Sequence, residues 1–123
     1  MRGVSAAQDE RYADKTRKLM RETVFPVNFE QTVDMRSVRL DLLLPHIKNS
    51  LRTSLGFDDD VAMGYVEAQL REEMGQRLDP KHMQIQCAAF LGSKSAPFMR
   101  MLWDLLLSAA DSPHGVPAQL LDA

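Results

Sequence analysis

The sequence predicts an all-α domain: a four-helix bundle with an additional N-terminal basic helix. Three observations point there. Apolar residues recur at three- and four-residue intervals through several separate segments, the spacing that puts them on one helix face. Gly, Pro and Asp fall where such segments start and stop. No stretch alternates apolar and polar residues with the period of two that a half-buried strand requires, and there is no internal repeat or low-complexity tract.

Residues 1–7 are small and polar and are expected to be disordered, leaving a domain over residues 8–121. From Gln8 to Val24, Tyr12, Thr16, Leu19, Met20 and Thr23 share one side of a helix. Arg11, Lys15, Arg17, Lys18 and Arg21 spread over the opposite arc, with Asp14 as the one acid between Arg11 and Arg21. This front helix (8–24) should dock by a thin apolar stripe and show a basic face to water. Its modest stripe makes it the least stable element, dependent on packing against the bundle. Pro26 and Asn28 end it, Phe25, Phe29 and Val33 can anchor the connection, and Asp34 is placed to cap a short turn through Val38.

The densest apolar run of the front half is Leu40 to Phe57. Ile47, Leu51 and Leu55 recur every fourth residue, whereas Lys48, Asn49 and Arg52 point elsewhere. Pro45 lacks an N–H and crowds the carbonyl four residues earlier. Either a regular helix starts within a turn of it, or Leu40 to Leu44 form a kinked lead-in. Gly56 can close the helix in the left-handed conformation, with Phe57 folding back on the last turn.

Asp58, Asp59 and Asp60 precede a helix carrying Val61, Met63, Tyr65, Val66, Leu70 and Met74; a cap that also favours the positive end of the helix dipole accounts for them better than a metal site. Gly64 weakens this helix and suggests close approach by a neighbour; Gly75 is a terminator. Asp79 as cap and Pro80 at the first position start the next helix, which buries Met83, Cys87, Phe90 and Leu91 and ends at Gly92. Ser95 caps the last long helix, Ala96 to Ala110. Phe98, Met99, Met101, Leu102, Trp103, Leu105, Leu106, Leu107 and Ala109 leave it hardly any polar face, which places it at the middle of the bundle. Pro117 to Leu121 can add a final turn.

Composition bounds the chemistry. At 123 residues, with 45% hydrophobic and 26% charged residues, the chain fits one soluble domain with a single core. The single cysteine, Cys87, excludes an internal disulfide and makes a reducing compartment the default. Nothing approaches the length of a membrane span, and Met1 to Gln8 lacks the apolar character of a signal peptide. The net charge of −2 conceals an asymmetry. Residues 1–39 hold eight Lys/Arg against six Asp/Glu, and residues 40–123 hold seven against eleven.

Catalytic constellations are missing. His46, His82 and His114 stand apart from one another without metal-ligand spacing, and no phosphate-cradling glycine loop or nucleophile elbow occurs, so neither metal nor cofactor is expected. Cys87 lies on an apolar helix face, the setting of an inert core thiol. The basic front helix is the feature with a partner implied by physics, because Lys and Arg at 11, 15, 18 and at 17, 21 can reach successive phosphates. No aromatic interleaves on that face, so neither base stacking nor sequence readout is supported. A charge-rich helix face is more often merely solvated, and on the residues alone that account stands ahead of nucleic-acid binding.

Leu44-Pro45-His46-Ile47, the run Leu55-Gly56-Phe57-Asp58-Asp59-Asp60-Val61, and later Met83-Gln84-Ile85, Phe90-Leu91-Gly92 and Leu102-Trp103-Asp104-Leu105-Leu106-Leu107-Ser108-Ala109 resemble a PWI domain. The blocks run in family order from about Ala7 to Leu121. The family's signature tryptophan is His46 here, between Pro45 and Ile47, where a packing role is expected. The resemblance implies a non-catalytic, monomeric four-helix module of a nuclear pre-mRNA splicing or processing factor, binding RNA and possibly DNA with little sequence preference, with splicing-factor proteins as further partners. It implies that Lys15, Arg17, Lys18 and Arg21, with Arg11, lie where the family's flanking charges lie. A basic pair that comes after the signature in a related domain is matched by Asn49 and Ser50, with Lys48 and Arg52 nearby. The alternative is a protein-interaction module with no direct nucleic-acid contact.

Overall fold

Five α-helices carry the fold: α1 (Ala6–Glu22), α2 (Leu40–Leu55), α3 (Asp60–Glu72), α4 (Pro80–Leu91) and α5 (Ser95–Ala110). This computed structural model describes residues 6–72, 78–117 and Leu120, and of residues 6–12 and 72 the backbone alone. The expectations for residues 1–5, Met74, Gly75, Leu121 and the side chains of Arg11 and Tyr12 lie outside the described residues. No strand occurs among the described residues, and the all-α bundle with a leading helix is the fold observed.

Helix α5 is the central element. Phe98, Met99, Leu102, Trp103, Leu105, Leu106 and Ala109 are buried, and it packs on α4 and α2 and on the short 3-10 turn Met35–Ser37. Around it stand Leu43, Leu44, Ile47 and Leu51 from α2, Val66 and Leu70 from α3, and Met83, Cys87 and Leu91 from α4. Phe29, Val33 and Met35 from the α1–α2 connection complete the core. Helix α1 lies outside this core and packs on α4 through half-buried Ala13, Thr16 and Met20. Leu19, assigned to that stripe by periodicity, is 39% exposed at its edge.

The punctuation residues act largely as their chemistry dictates. Asp34 accepts from the Arg36 N–H at 3.0 Å and caps the turn Met35–Ser37. Asp79 Oδ1 accepts from the N–H groups of Lys81 (3.0 Å) and His82 (3.3 Å), with Pro80 in the first turn of α4. Asp59 does the same for Val61 (3.0 Å) and Ala62 (3.2 Å) at the start of α3, which gives the aspartate run a capping role. Gly56, at φ +88°, donates its N–H to the Arg52 carbonyl at 2.7 Å and closes α2.

Several expectations change. Helix α2 begins at Leu40 and runs through Pro45; the bond that proline cannot make to the Asp41 carbonyl falls on an exposed face, where water can satisfy the acceptor. Phe57 is 58% exposed and does not close over the last turn of α2; the Lys94 ammonium instead donates to the Ser54 carbonyl at 2.8 Å. Val61 is 82% exposed, and Ala62 takes the buried place beside it. A Cβ on Gly64 would meet nothing within 4 Å, so no helix approaches closely there. Ser95 is buried inside the first turn of α5 and does not cap it, because the 3-10 turn Gly92–Lys94 runs directly into the helix and the Gly92 carbonyl takes the Ser95 N–H. His46 is exposed rather than packed in the core; Ile47 beside it is fully buried.

Candidate nucleic-acid interface

The position of the basic helix is fixed by the segment that connects it to α2. Beyond α1 the Phe25 ring stacks on Phe29 at a centroid distance of 5.9 Å, and Phe29 meets the edge of Trp103 at 6.1 Å. The Trp103 indole donates to the Asn28 carbonyl at 2.9 Å, and the Asn28 amide donates to Asp104 at 2.5 Å. Lys81 of α4 pairs with Glu30 and sits 5.8 Å from the Phe25 ring centre. The segment leaving α1 is thus tied to α5 and α4, and α1 is laid along α4 with its polar arc outward.

On that arc Lys15, Lys18 and Arg21 are exposed, and among the described residues none of them has an acidic partner. Arg17 pairs with Asp14 one turn earlier. Both are well exposed, and an exposed i, i+3 pair contributes little and exchanges readily for another anion. The front helix therefore keeps its positive charge uncompensated by the bundle.

The two cations of α2 behave differently. Lys48 contacts Glu67 of α3 at 2.7 Å, and Arg71 reaches the same carboxylate at 2.8 Å. The Lys48 hydrogen bond, then that of Arg71, holds the Glu67 carboxyl below the usual range. Arg52 is clamped by Asp58 at 2.5 Å and by the Asn49 side-chain oxygen at 3.1 Å. Lys48 thus links α2 to α3, and Arg52 links α2 to the loop between them through an exposed pair like that of Arg17. Lys48 and Arg52 sit on a helix that packs on α3 and α5, whereas α1 packs on α4. Of the candidate cations, the structure groups Lys15, Arg17, Lys18 and Arg21 on one element and sets Lys48 and Arg52 apart.

Two surface clefts adjoin residues singled out from the sequence. The first, of about 560 Å³, lies between α1 and α4 and is lined by Ala13, Thr16, Arg17, Met20, Arg21 and His82. The second, of about 470 Å³, is lined by His46, Pro97, Arg100, Met101, Asp104 and Leu105. The fold places His82 beside Arg17 and Arg21, a grouping that no sequence spacing indicates, since the histidine lies in the first turn of α4 and the arginines in α1. Burial pushes the Cys87 thiol up to about 12, so it is no nucleophile. Among the described residues no group of His, Cys, Asp and Glu is placed to hold a metal ion, and no helix is long and apolar enough to cross a membrane.

Comparison with known proteins agrees with this architecture. The PWI domain family matches residues 41–114, which comprise most of α2 and all of α3, α4 and α5. Serine/arginine repetitive matrix protein 1 of Gallus gallus is 39% identical over 122 residues, a match that covers 98% of this chain and 13% of that relative. The match therefore extends past the family match to span α1. By the family match, which spans more than half of its residues, this chain belongs to the PWI domain family.

Proposed function

We propose that this domain is a non-catalytic nucleic-acid-binding module of a nuclear pre-mRNA splicing or processing factor, gripping RNA and DNA by their phosphates with little sequence preference. The observation that carries the reading is the charge state of α1: Lys15, Lys18 and Arg21 have no acidic partner among the described residues, and Arg17 has only an exposed one. Such a face attracts a polyanion by releasing its condensed counterions. The engagement of Lys48 with partly buried Glu67 supports α1 as the main binding surface, while the Arg52–Asp58 pair is exposed like that of Arg17. Similarity to a serine/arginine repetitive matrix protein supports the splicing context.

The test is affinity for short RNA and duplex DNA across a salt series, for wild type and for a variant with Lys15, Arg17, Lys18 and Arg21 reversed to Glu. The expected outcome is steeply salt-dependent binding that the reversal abolishes. Binding that ignores either salt or the reversal refutes the proposal.

A protein-interaction role is favoured by a different observation. Phe57 and Val61, four residues apart at the α2–α3 junction, are 58% and 82% exposed, more apolar surface than capping α3 requires. Partners that survive nuclease treatment and are lost on replacing both residues with Ser would establish that role.

A further inference from the structure

The cleft between α1 and α4 has a composition that phosphate binding alone does not call for. Half-buried Ala13, Thr16 and Met20 form its interior, and exposed Arg17, Arg21 and His82 line its margin. At about 560 Å³ it falls in the size range of small-ligand sites, roughly 300–1,000 Å³. Guanidinium and imidazole groups are planar and offer faces on which a nucleobase can stack, and Arg and His are among the residues that do so in single-strand recognition.

Resting on the phosphate-binding role of α1, we propose that this cleft seats one unstacked base of a single-stranded nucleic acid between His82 of α4 and Arg17 and Arg21 of α1, while neighbouring phosphates lie along Lys15 and Lys18. Arg17 and Arg21 are one helical turn apart and share a face, so both address the same short length of strand. The Arg17 pairing with Asp14 is exposed and gives way to a phosphate or a base at little cost. Ala13 and Met20 supply apolar contact and Arg17, Arg21 and His82 offer planar faces, so the seat accepts any base by its face. An aliphatic side chain of a peptide would suit the interior too, but would leave the three planar side chains unused. The histidine supplies what the α1 sequence lacks, a ring beside the basic face.

The experiment compares the whole chain's affinity for a short oligothymidylate and for the same oligomer with every base replaced by an abasic tetrahydrofuran. Phosphate number is identical in the two. Wild type should bind the base-bearing oligomer about tenfold more tightly, the scale of one stacked base. His82→Ala, and separately Ala13→Leu, which fills the cleft, should each bring the ratio of the two affinities to about one. Equal wild-type affinities that both weaken with salt overturn the base seat and leave phosphate binding standing. A preference that survives both substitutions overturns the placement in this cleft. Failure to bind either oligomer overturns both readings.

Discussion

The Trp103 indole N–H donates to the Asn28 backbone carbonyl at 2.9 Å, across 75 residues of chain. The indole is fully buried in α5, so the same side chain fills the centre of the bundle and fastens the segment that leaves the basic helix. Asn28 in turn donates its side-chain amide to Asp104, the next residue of α5. The core and the candidate binding face are therefore mechanically linked.

Trp103→Phe keeps an aromatic ring but removes the donor and part of the volume. The Asn28 carbonyl loses its partner and a void opens beside Phe29. Stability should fall by about 2–4 kcal/mol, read from the urea midpoint, with amide exchange accelerated in α1 before the rest of the bundle.

Gly115 and Gly64 should respond to alanine with opposite signs. Gly115 sits at φ +70°, and a Cβ there would lie 2.8 Å from the Ser37 carbonyl oxygen and 2.9 Å from Arg39 Cγ. Its own carbonyl accepts from the Arg39 N–H at 2.9 Å, so the strain reaches the start of α2. Gly115→Ala should destabilise by more than the ~1–2 kcal/mol of the left-handed conformation alone. Gly64 lies inside α3 with open space around it, and Gly64→Ala should stabilise by about 0.4–1 kcal/mol. Thermal melts of the two variants check both signs.

Acid should weaken the α2–α3 contact. The Glu67 carboxyl is held below its ordinary 4.5 by the Lys48 hydrogen bond and then by Arg71. A carboxylate lowered in the folded state contributes stability above its unfolded pKa, and that contribution is lost as pH falls through the folded value. Carboxyl NMR of Glu67 should titrate below 4.5 in wild type and move upward in Lys48→Met.

At alkaline pH the sign for Cys87 is the reverse. Its folded thiol is pushed up to about 12 from 9.0, so the unfolded chain ionises first and stability declines as pH rises through 9. In native protein at mildly alkaline pH, a thiol reagent should react with Cys87 only at the rate of unfolding.

Charge removal should separate α1 from α2. Each phosphate contact contributes about 0.9 to the logarithmic salt slope on duplex DNA. Lys18→Gln should therefore lower the slope by about that amount. Lys48→Gln should leave it unchanged, because Glu67 already holds that ammonium at 2.7 Å.

Local chemistry was legible wherever it acts over a few residues. Asp34, Asp79 and Gly56 cap and close the elements their positions imply, and the nearly all-round apolar character of α5 placed it at the centre. Errors arose where a neighbour distant in sequence decides. Periodicity counted Leu19 and Val61 as apolar-face residues, yet Leu19 is 39% exposed at the edge of its stripe and Val61 is 82% exposed. Phe57 was expected over the last turn of α2, where the Lys94 ammonium now meets the Ser54 carbonyl.

By itself the amino-acid sequence determined that this chain is a helical bundle led by a cationic helix, because periodicity, caps and charge are properties of short stretches. Tertiary structure decided which cations meet acids of another element. Glu67 comes within reach of Lys48 only once α2 and α3 are packed, and His82 joins Arg17 and Arg21 only because α1 lies on α4. Coulomb and stacking interactions depend on distance through space, and chain spacing does not encode that distance between separate helices.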